Sequence, residues 1–158
     1  MPKVKPIPEG YHSITPNLIV PNGDQAIDFY KRAFGATELS RMPGPGGGVL
    51  HAELKIGNSI FMLGEENAEM GSKSPKTLGG TPLSLYIYVE NVDQAWQRAI
   101  EAGATANMPL ADMFWGDRAG WLTDPFGHAW ALAQHVKDLT PGEIQKGQEA
   151  FFAEHASK

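Results

Sequence analysis

Hydrophobic and polar residues alternate in three separate stretches of the chain. In Val49–Ile56, the residues Leu50, Ala52, Leu54 and Ile56 share one parity, and His51, Glu53 and Lys55 share the other. Leu83–Val89 repeats the pattern, with Leu83, Leu85, Ile87 and Val89 set against Ser84, Tyr86 and Tyr88. Ile14–Val20 sets Ile14, Leu18 and Val20 opposite Thr15, Asn17 and Ile19, and Pro16 marks an edge or a gap in its ladder. A period of two belongs to a strand with one buried face, so the second set in each stretch is expected to point away from the core. Gly57-Asn58 turns the Val49–Ile56 strand back into Ser59–Leu63. Shorter strands are predicted near Thr37–Arg41 and Thr105–Met108. Asp124-Pro125-Phe126-Gly127 has the residues of a type I turn and joins Ala119–Thr123 to His128–Gln134 in a hairpin.

Three segments carry a helical period instead. Asp24 is placed to cap a helix whose apolar stripe is Ala26, Ile27, Tyr30, Ala33 and Phe34, stopped at Gly35. A second helix starts near Asp93, presents Val92, Ala95, Trp96, Ala99 and Ile100, and ends at Gly103. Thr140-Pro141-Gly142-Glu143 is a capping box with proline at the first helical position, and it opens a helix bearing Ile144, Phe151 and Phe152. The start of the chain, with three prolines before Tyr11, reads as an extended arm. Residues Glu65 to Gly80 are polar, carry no period and read as a linker or mobile flap.

The order of elements repeats. Val20-Pro-Asn-Gly-Asp-Gln-Ala and Val89-Glu-Asn-Val-Asp-Gln-Ala agree at five of seven positions, and each block leaves an alternating strand to open a helix ending in Gly-Ala. The chain therefore reads as two copies of a β-α-β-β-β unit. The expected fold is α+β, with two tandem modules whose curved mixed sheets form a cup, plus a C-terminal helix. Residues 1–12 are the arm, 13–64 the first module, 65–80 the linker, 81–135 the second module and 136–158 the C-terminal helix. By alternation the cup is lined by Thr15, Asn17, His51, Glu53, Ser84, Tyr86 and Tyr88, and a concave surface of this kind suits a small molecule.

Composition narrows the function. A formal charge of −5 with no basic run argues against nucleic acid or an anionic membrane as partner. No apolar run is long enough to span a membrane, and the first residues do not resemble a secretion signal, so a cytoplasmic protein is expected. The chain has no cysteine, which removes disulfides, thiolate metal sites and thiol nucleophiles. No Ser-His-Asp spacing, phosphate loop or dinucleotide fingerprint occurs.

His51 and Glu53 are the candidate catalytic pair. They share a strand face about 7 Å apart, close enough for a general base and its electrostatic partner, or for holding a polar ligand; a merely wet strand face is the alternative. Tyr86 and Tyr88 are candidates to stack on a planar ligand, or else fill the cup. Trp121 and Trp130 are assigned to the core. Trp115 and Arg118 belong at the rim, where Trp115-Gly116-Asp117-Arg118 is either a loop clamp or an anion-binding corner. Asn17 completes the candidate ligand-binding set.

The segments VPNGDQAIDFYKRAFGA, LHAELKIGNSIFML and WGDRAGWLTDPFGHAWALAQH, within paired β-α-β-β-β modules, resemble the vicinal-oxygen-chelate superfamily of glyoxalases, bleomycin-resistance proteins and extradiol dioxygenases. The resemblance runs from about Ser13 to Phe152 and is strongest to the PhnB-like branch. It implies a divalent metal held by His and Glu or Gln side chains of four strands. The corresponding positions here are Thr15, His51, Ser84 and Ala131, and only His51 is a good ligand. The expectation is therefore no resident metal and no other cofactor, with a divalent metal at His51 the alternative that a metal-dependent enzyme of the superfamily would require. Two functions stay open. One is a metal-independent protein that sequesters a small planar or cationic compound, as bleomycin-resistance proteins do. The other is a lyase, isomerase or dioxygenase that relies on His51. The duplicated open sheets, with the superfamily's habit of pairing modules across chains, lead to the expectation of a homodimer.

Overall fold

Both core helices are bracketed by the same device. In the computed structural model, which describes residues 3–156, Asn22 accepts a hydrogen bond from the Gln25 backbone N–H and opens α1 (Gly23–Phe34). Asn91 does the same for Gln94 and opens α3 (Val92–Ala102). The cap of α1 is thus Asn22 and not Asp24: the shorter reach of a side chain at the last non-helical residue meets the free N–H groups. Gly35 closes α1 with φ of 66°, a left-handed conformation that costs glycine little.

Each module builds a four-stranded mixed sheet. β1 (Asn17–Val20), β2 (Thr37–Pro43), β3 (Val49–Ile56) and β4 (Ser59–Glu65) pair in the order β1-β4-β3-β2. The second sheet holds β5 (Ser84–Tyr88), β6 (Thr105–Asp112), β7 (Asp117–Thr123) and β8 (Ala129–His135) in the order β5-β8-β7-β6. In both, the first strand runs parallel to the last and every other pairing is antiparallel. The duplication extends to side chains. Glu65, at the end of β4, accepts the Gly23 N–H at the mouth of α1, and Gln134, near the end of β8, accepts the Val92 N–H at the mouth of α3. The two curved sheets give the cup-like α+β architecture expected from the sequence, with the capped C-terminal helix α4 (Pro141–His155) after them.

One apolar core serves both modules. Tyr30 and Phe34 of α1 pack against Trp130 of β8 with ring centroids 5.4 and 4.7 Å apart, and Tyr30 also meets Phe61 of β4 at 5.6 Å. Tyr30 Oη donates to buried Asp124 at 2.6 Å, tying the first helix to the second module's hairpin turn. The helices exchange arginines. Arg98 of α3 donates to the carbonyls of Arg32 and Lys31 at the end of α1, while Arg32 donates to the Ala102 carbonyl at the end of α3. Each cation thereby sits at the negative end of a neighbouring helix dipole. No helix of the described residues is long and apolar enough to cross a membrane.

Several local expectations are corrected. Ile14 is exposed, because Pro16 lacks an N–H and the ladder begins only at Asn17. Leu83 precedes β5 and is exposed as well. Leu50, expected under the helix, is 51% exposed, and Val49 takes its place in the core. The cause is a bulge: His51 pairs with Met42 but Val49 with Pro43, so Leu50 is an extra residue and the parity flips beyond it. Residues 65–80 are tied down rather than featureless. Asn67 and Ser72 exchange backbone hydrogen bonds, Glu66 accepts the Ser74 N–H at 2.6 Å, and a short helix α2 (Pro75–Leu78) packs Pro75 against Gly127.

Candidate functional site

Register brings the polar residues of the first module into rows across its sheet. Asn17, Met62, Glu53 and Ser40 stand opposite one another on β1, β4, β3 and β2. His51 is in the next row, with its Nε2 3.7 Å from Glu53 Oε1. Ser40 Oγ donates to Glu53 Oε2 at 3.1 Å. The Tyr11 hydroxyl, brought in by the N-terminal arm, reaches the same carboxylate. Its hydrogen bond is the main reason that Glu53 stays below the usual carboxylate range, against the opposing pull of burial and with help from Ser40 and His51. In return the Tyr11 phenol is pushed up to about 12. Glu53 is therefore an anion throughout the neutral range.

Two cavities flank this pair. One, of about 280 Å³, is lined by Asn17, Ile19, Leu50, His51 and Glu65 with the glycine-rich loop at Gly44 and Gly47. The other, of about 470 Å³, lies under the arm against Glu53, Thr15 and Met62. The expected lining residues Asn17, His51 and Glu53 thus gather on one sheet face. Tyr11 was not singled out by sequence reasoning, since an arm without periodicity gives no sign of where its side chains land. The tightly spaced prolines Pro6 and Pro8, followed by Gly10, are the available hint of a shaped segment.

The second module gathers a different cluster. Asp117 is buried and receives the hydroxyls of Tyr86 (3.0 Å) and Tyr88 (2.9 Å), the indole N–H of Trp115 (3.2 Å) and, on its other oxygen, His135 Nδ1 at 2.9 Å. Burial alone would push its carboxyl up; the donors, His135 first, outweigh it and hold it below its ordinary value. Asp117 and Asp138, on the two ring nitrogens of His135, raise that imidazole. Burial, then Asp117, pushes the Tyr86 phenol up to about 12. The polar tips of Tyr86, Tyr88 and Trp115 are therefore committed to Asp117, and what they offer a ligand is ring faces. Trp121, expected in the core, is half-buried on this same face, 6.3 Å from Tyr86, because it shares the parity of Asp117 on β7. Trp130 is in the core as expected.

Arg118 points the opposite way from Asp117. Its guanidinium binds Asp93 of α3 at 2.8 Å and approaches Asp112 at 3.4 Å, so it faces the helix side of the sheet. The Asp117-Arg118 corner does not form, since neighbours on a strand point to opposite faces. The candidate residues fall into two groups on two sheets: Asn17, His51 and Glu53, and Tyr86, Tyr88 and Trp115.

Residues 11–132 match the family described as the Glyoxalase/Bleomycin resistance protein/Dioxygenase superfamily. The chain belongs to this superfamily. Among related sequences, the uncharacterized protein Rv0887c of Mycobacterium tuberculosis is 46% identical over 136 residues, which cover 84% of this chain and 80% of that protein. Among solved structures, TioX from a Micromonospora species is 29% identical with a TM-score of 0.65, covering 79% of this chain and 99% of TioX. The PhnB protein of Bacillus cereus shares the fold at a TM-score of 0.60 and 21% identity, over 78% of this chain and 99% of that one.

The residues at the superfamily's metal positions do not fit a divalent ion. Thr15 lies ahead of β1 and turns its hydroxyl to the His12 carbonyl at 3.3 Å. Ser84 begins β5, and Ala131 presents a methyl between Tyr86 and Trp121. Glu53, 3.7 Å away, is the carboxylate paired with His51. Among the described residues no group of three or more His, Asp or Glu side chains is arranged to hold a metal. A single imidazole and one carboxylate fall short of the three or four donors such ions take.

Proposed function

We propose that this chain is a small-molecule-binding member of its superfamily that works without the superfamily's metal. The observation that carries the reading is the donor set: Thr15, Ser84 and Ala131 stand where ligands are required, while an anionic Glu53 and a neighbouring His51 border the open cavities of the first module. In this reading Asn17, His51 and Glu53 hold polar groups of a ligand. Tyr86, Tyr88 and Trp115 offer a second, aromatic face for a planar one. A cytoplasmic protein of acidic charge, with no nucleic-acid or membrane partner, fits the same account.

A second reading is enzymatic. The 3.7 Å separation of His51 Nε2 from Glu53 Oε1 suits a general base beside an electrostatic partner, as an isomerase or lyase would use. Elemental analysis of the purified protein separates the metal-free account from the superfamily's metal chemistry. The expected result is no stoichiometric Zn, Ni, Mn or Fe. Close to one such ion per chain, lost in His51→Ala, would contradict the proposal.

We also propose a homodimer. The open faces of both sheets carry exposed apolar residues, among them Met42, Leu50, Tyr88 and Met108, which a second copy would cover. Sedimentation at micromolar concentration is expected to give the dimer mass; a monomer would rule this out.

A further inference from the structure

The N-terminal arm, which the sequence marks only as extended, crosses the open face of the first sheet. A turn closes at Tyr11, whose N–H donates to the Pro8 carbonyl at 3.1 Å. Gly10 lies against Ile60, where an added Cβ would stand 3.5 Å from Ile60 Cδ1. Ile60 alternates with the core residues Phe61 and Leu63 and so points to the open face, yet it is only 8% exposed. The arm accounts for that cover. Between arm and sheet lies the cavity of about 470 Å³, a volume suited to a small organic ligand.

Its lining is chemically lopsided. Pro6, Ile7, Pro8 and Met62 supply apolar walls, Tyr11 and His12 supply ring edges and faces, and Glu53 is the one carboxylate. An ionised carboxylate has about four acceptor positions. Ser40 uses one and Tyr11 another, and His51, with its Nε2 3.7 Å from Oε1, engages a third only weakly. Acceptor capacity is left over beside a largely apolar chamber. A neutral ligand can give that carboxylate a hydrogen bond at most, whereas a protonated amine with a compact apolar body also balances its charge and so suits both halves of the lining. The Tyr11 ring adds a surface over which a cation is favoured.

We propose that the arm-roofed cavity binds a primary organic ammonium ion, with Glu53 as its counter-ion and Tyr11 as the residue that positions it. This rests on the small-molecule-binding reading above and adds to it a location, a charge and the participation of the arm. The arm is thereby a wall of the site rather than a tail.

The test is a titration of the full chain with benzylammonium, read by calorimetry and by backbone amide chemical shifts, with benzyl alcohol as the neutral analogue of the same shape. Shifts are expected around Ile7, Tyr11, Thr15, Glu53 and Met62. Benzyl alcohol and the Glu53→Gln variant should each lose about tenfold or more in affinity, the worth of a hydrogen bond to a charged group. Tyr11→Phe should weaken binding by a smaller factor and leave the circular dichroism unchanged. Should Glu53→Gln fail to fold, Ile7→Lys on the exposed arm removes one apolar wall for both ligands and adds a like charge for one, so it is expected to weaken the ammonium by a larger factor than the alcohol. Equal affinity for the alcohol, indifference to these substitutions, or no binding at millimolar concentration would overturn the inference. Shifts centred on Tyr86, Tyr88 and Trp121 would also overturn it, while leaving the binding-protein reading standing.

Discussion

Replacing Asp124 by alanine is expected to be the most damaging single polar substitution in this chain. Asp124 is buried and accepts four hydrogen bonds: Tyr30 Oη at 2.6 Å, Trp130 Nε1 at 2.9 Å, and the backbone N–H groups of Phe126 and His128, each at 2.9 Å. Tyr30 and Trp130 are themselves buried, so no water can replace the lost acceptor without opening the core. A buried donor left unmet costs roughly 1–3 kcal/mol, which puts Asp124→Ala at about 3–5 kcal/mol. Asp117 provides the internal control, for it too accepts four donors. Tyr86 and Tyr88 are 38% and 62% exposed, however, and their hydroxyls can rehydrate. Asp117→Ala should therefore cost less, on the order of 1–2 kcal/mol. Urea unfolding of both variants checks the ranking. Asp117→Ala proving the more destabilising would show that the second module's cluster, and not the turn linking the modules, holds the fold together.

The second large effect separates two leucines of one strand. Leu54 is fully buried beneath α1 and Leu50 is half exposed on the opposite side. Leu54→Ala should cost about 2–5 kcal/mol, as large-to-small core substitutions do. Leu50→Ala should stay within about 0.5 kcal/mol, the usual range for a surface change. His51→Ala is expected to resemble Leu50→Ala in stability. Thermal melts of the three variants decide the matter. Equal losses at Leu50 and Leu54 would mean that β3 keeps strict alternation and that the bulge at Leu50 does not form in solution.

That bulge shows where reading from the sequence stops. Alternation placed Ala52, Leu54, His51 and Glu53 on their proper faces, because one buried face fixes parity along an unbroken strand. It misplaced Leu50, since the pairing of Pro43 with Val49 that inserts an extra residue is made by a partner strand across a glycine-rich loop. The duplicated block around Asn22 and Asn91 was legible because both copies need the same cap, and the matching roles of Glu65 and Gln134 follow from it. The Trp115–Arg118 corner failed for a local reason, that Asp117 and Arg118 are neighbours on β7 and face apart. Asp117 itself was visible only as one charge of a pair; its four donors come from β5, β8 and the turn before β7. Tyr11 lay outside any periodic segment, so Pro6, Pro8 and Gly10 hint at a shaped arm but not at the contact that Tyr11 makes with Glu53.

The central claim is that the first module's open face binds a small molecule without a metal. It is tested most directly by screening planar and cationic fragments against the protein in the presence of a chelator, then repeating the titrations with His51→Ala and Glu53→Gln. The account predicts that binding persists in chelator and weakens in both variants, while their melting temperatures stay near that of the parent chain. Binding that appears only when a divalent ion is added, or that is untouched by both substitutions, would contradict it.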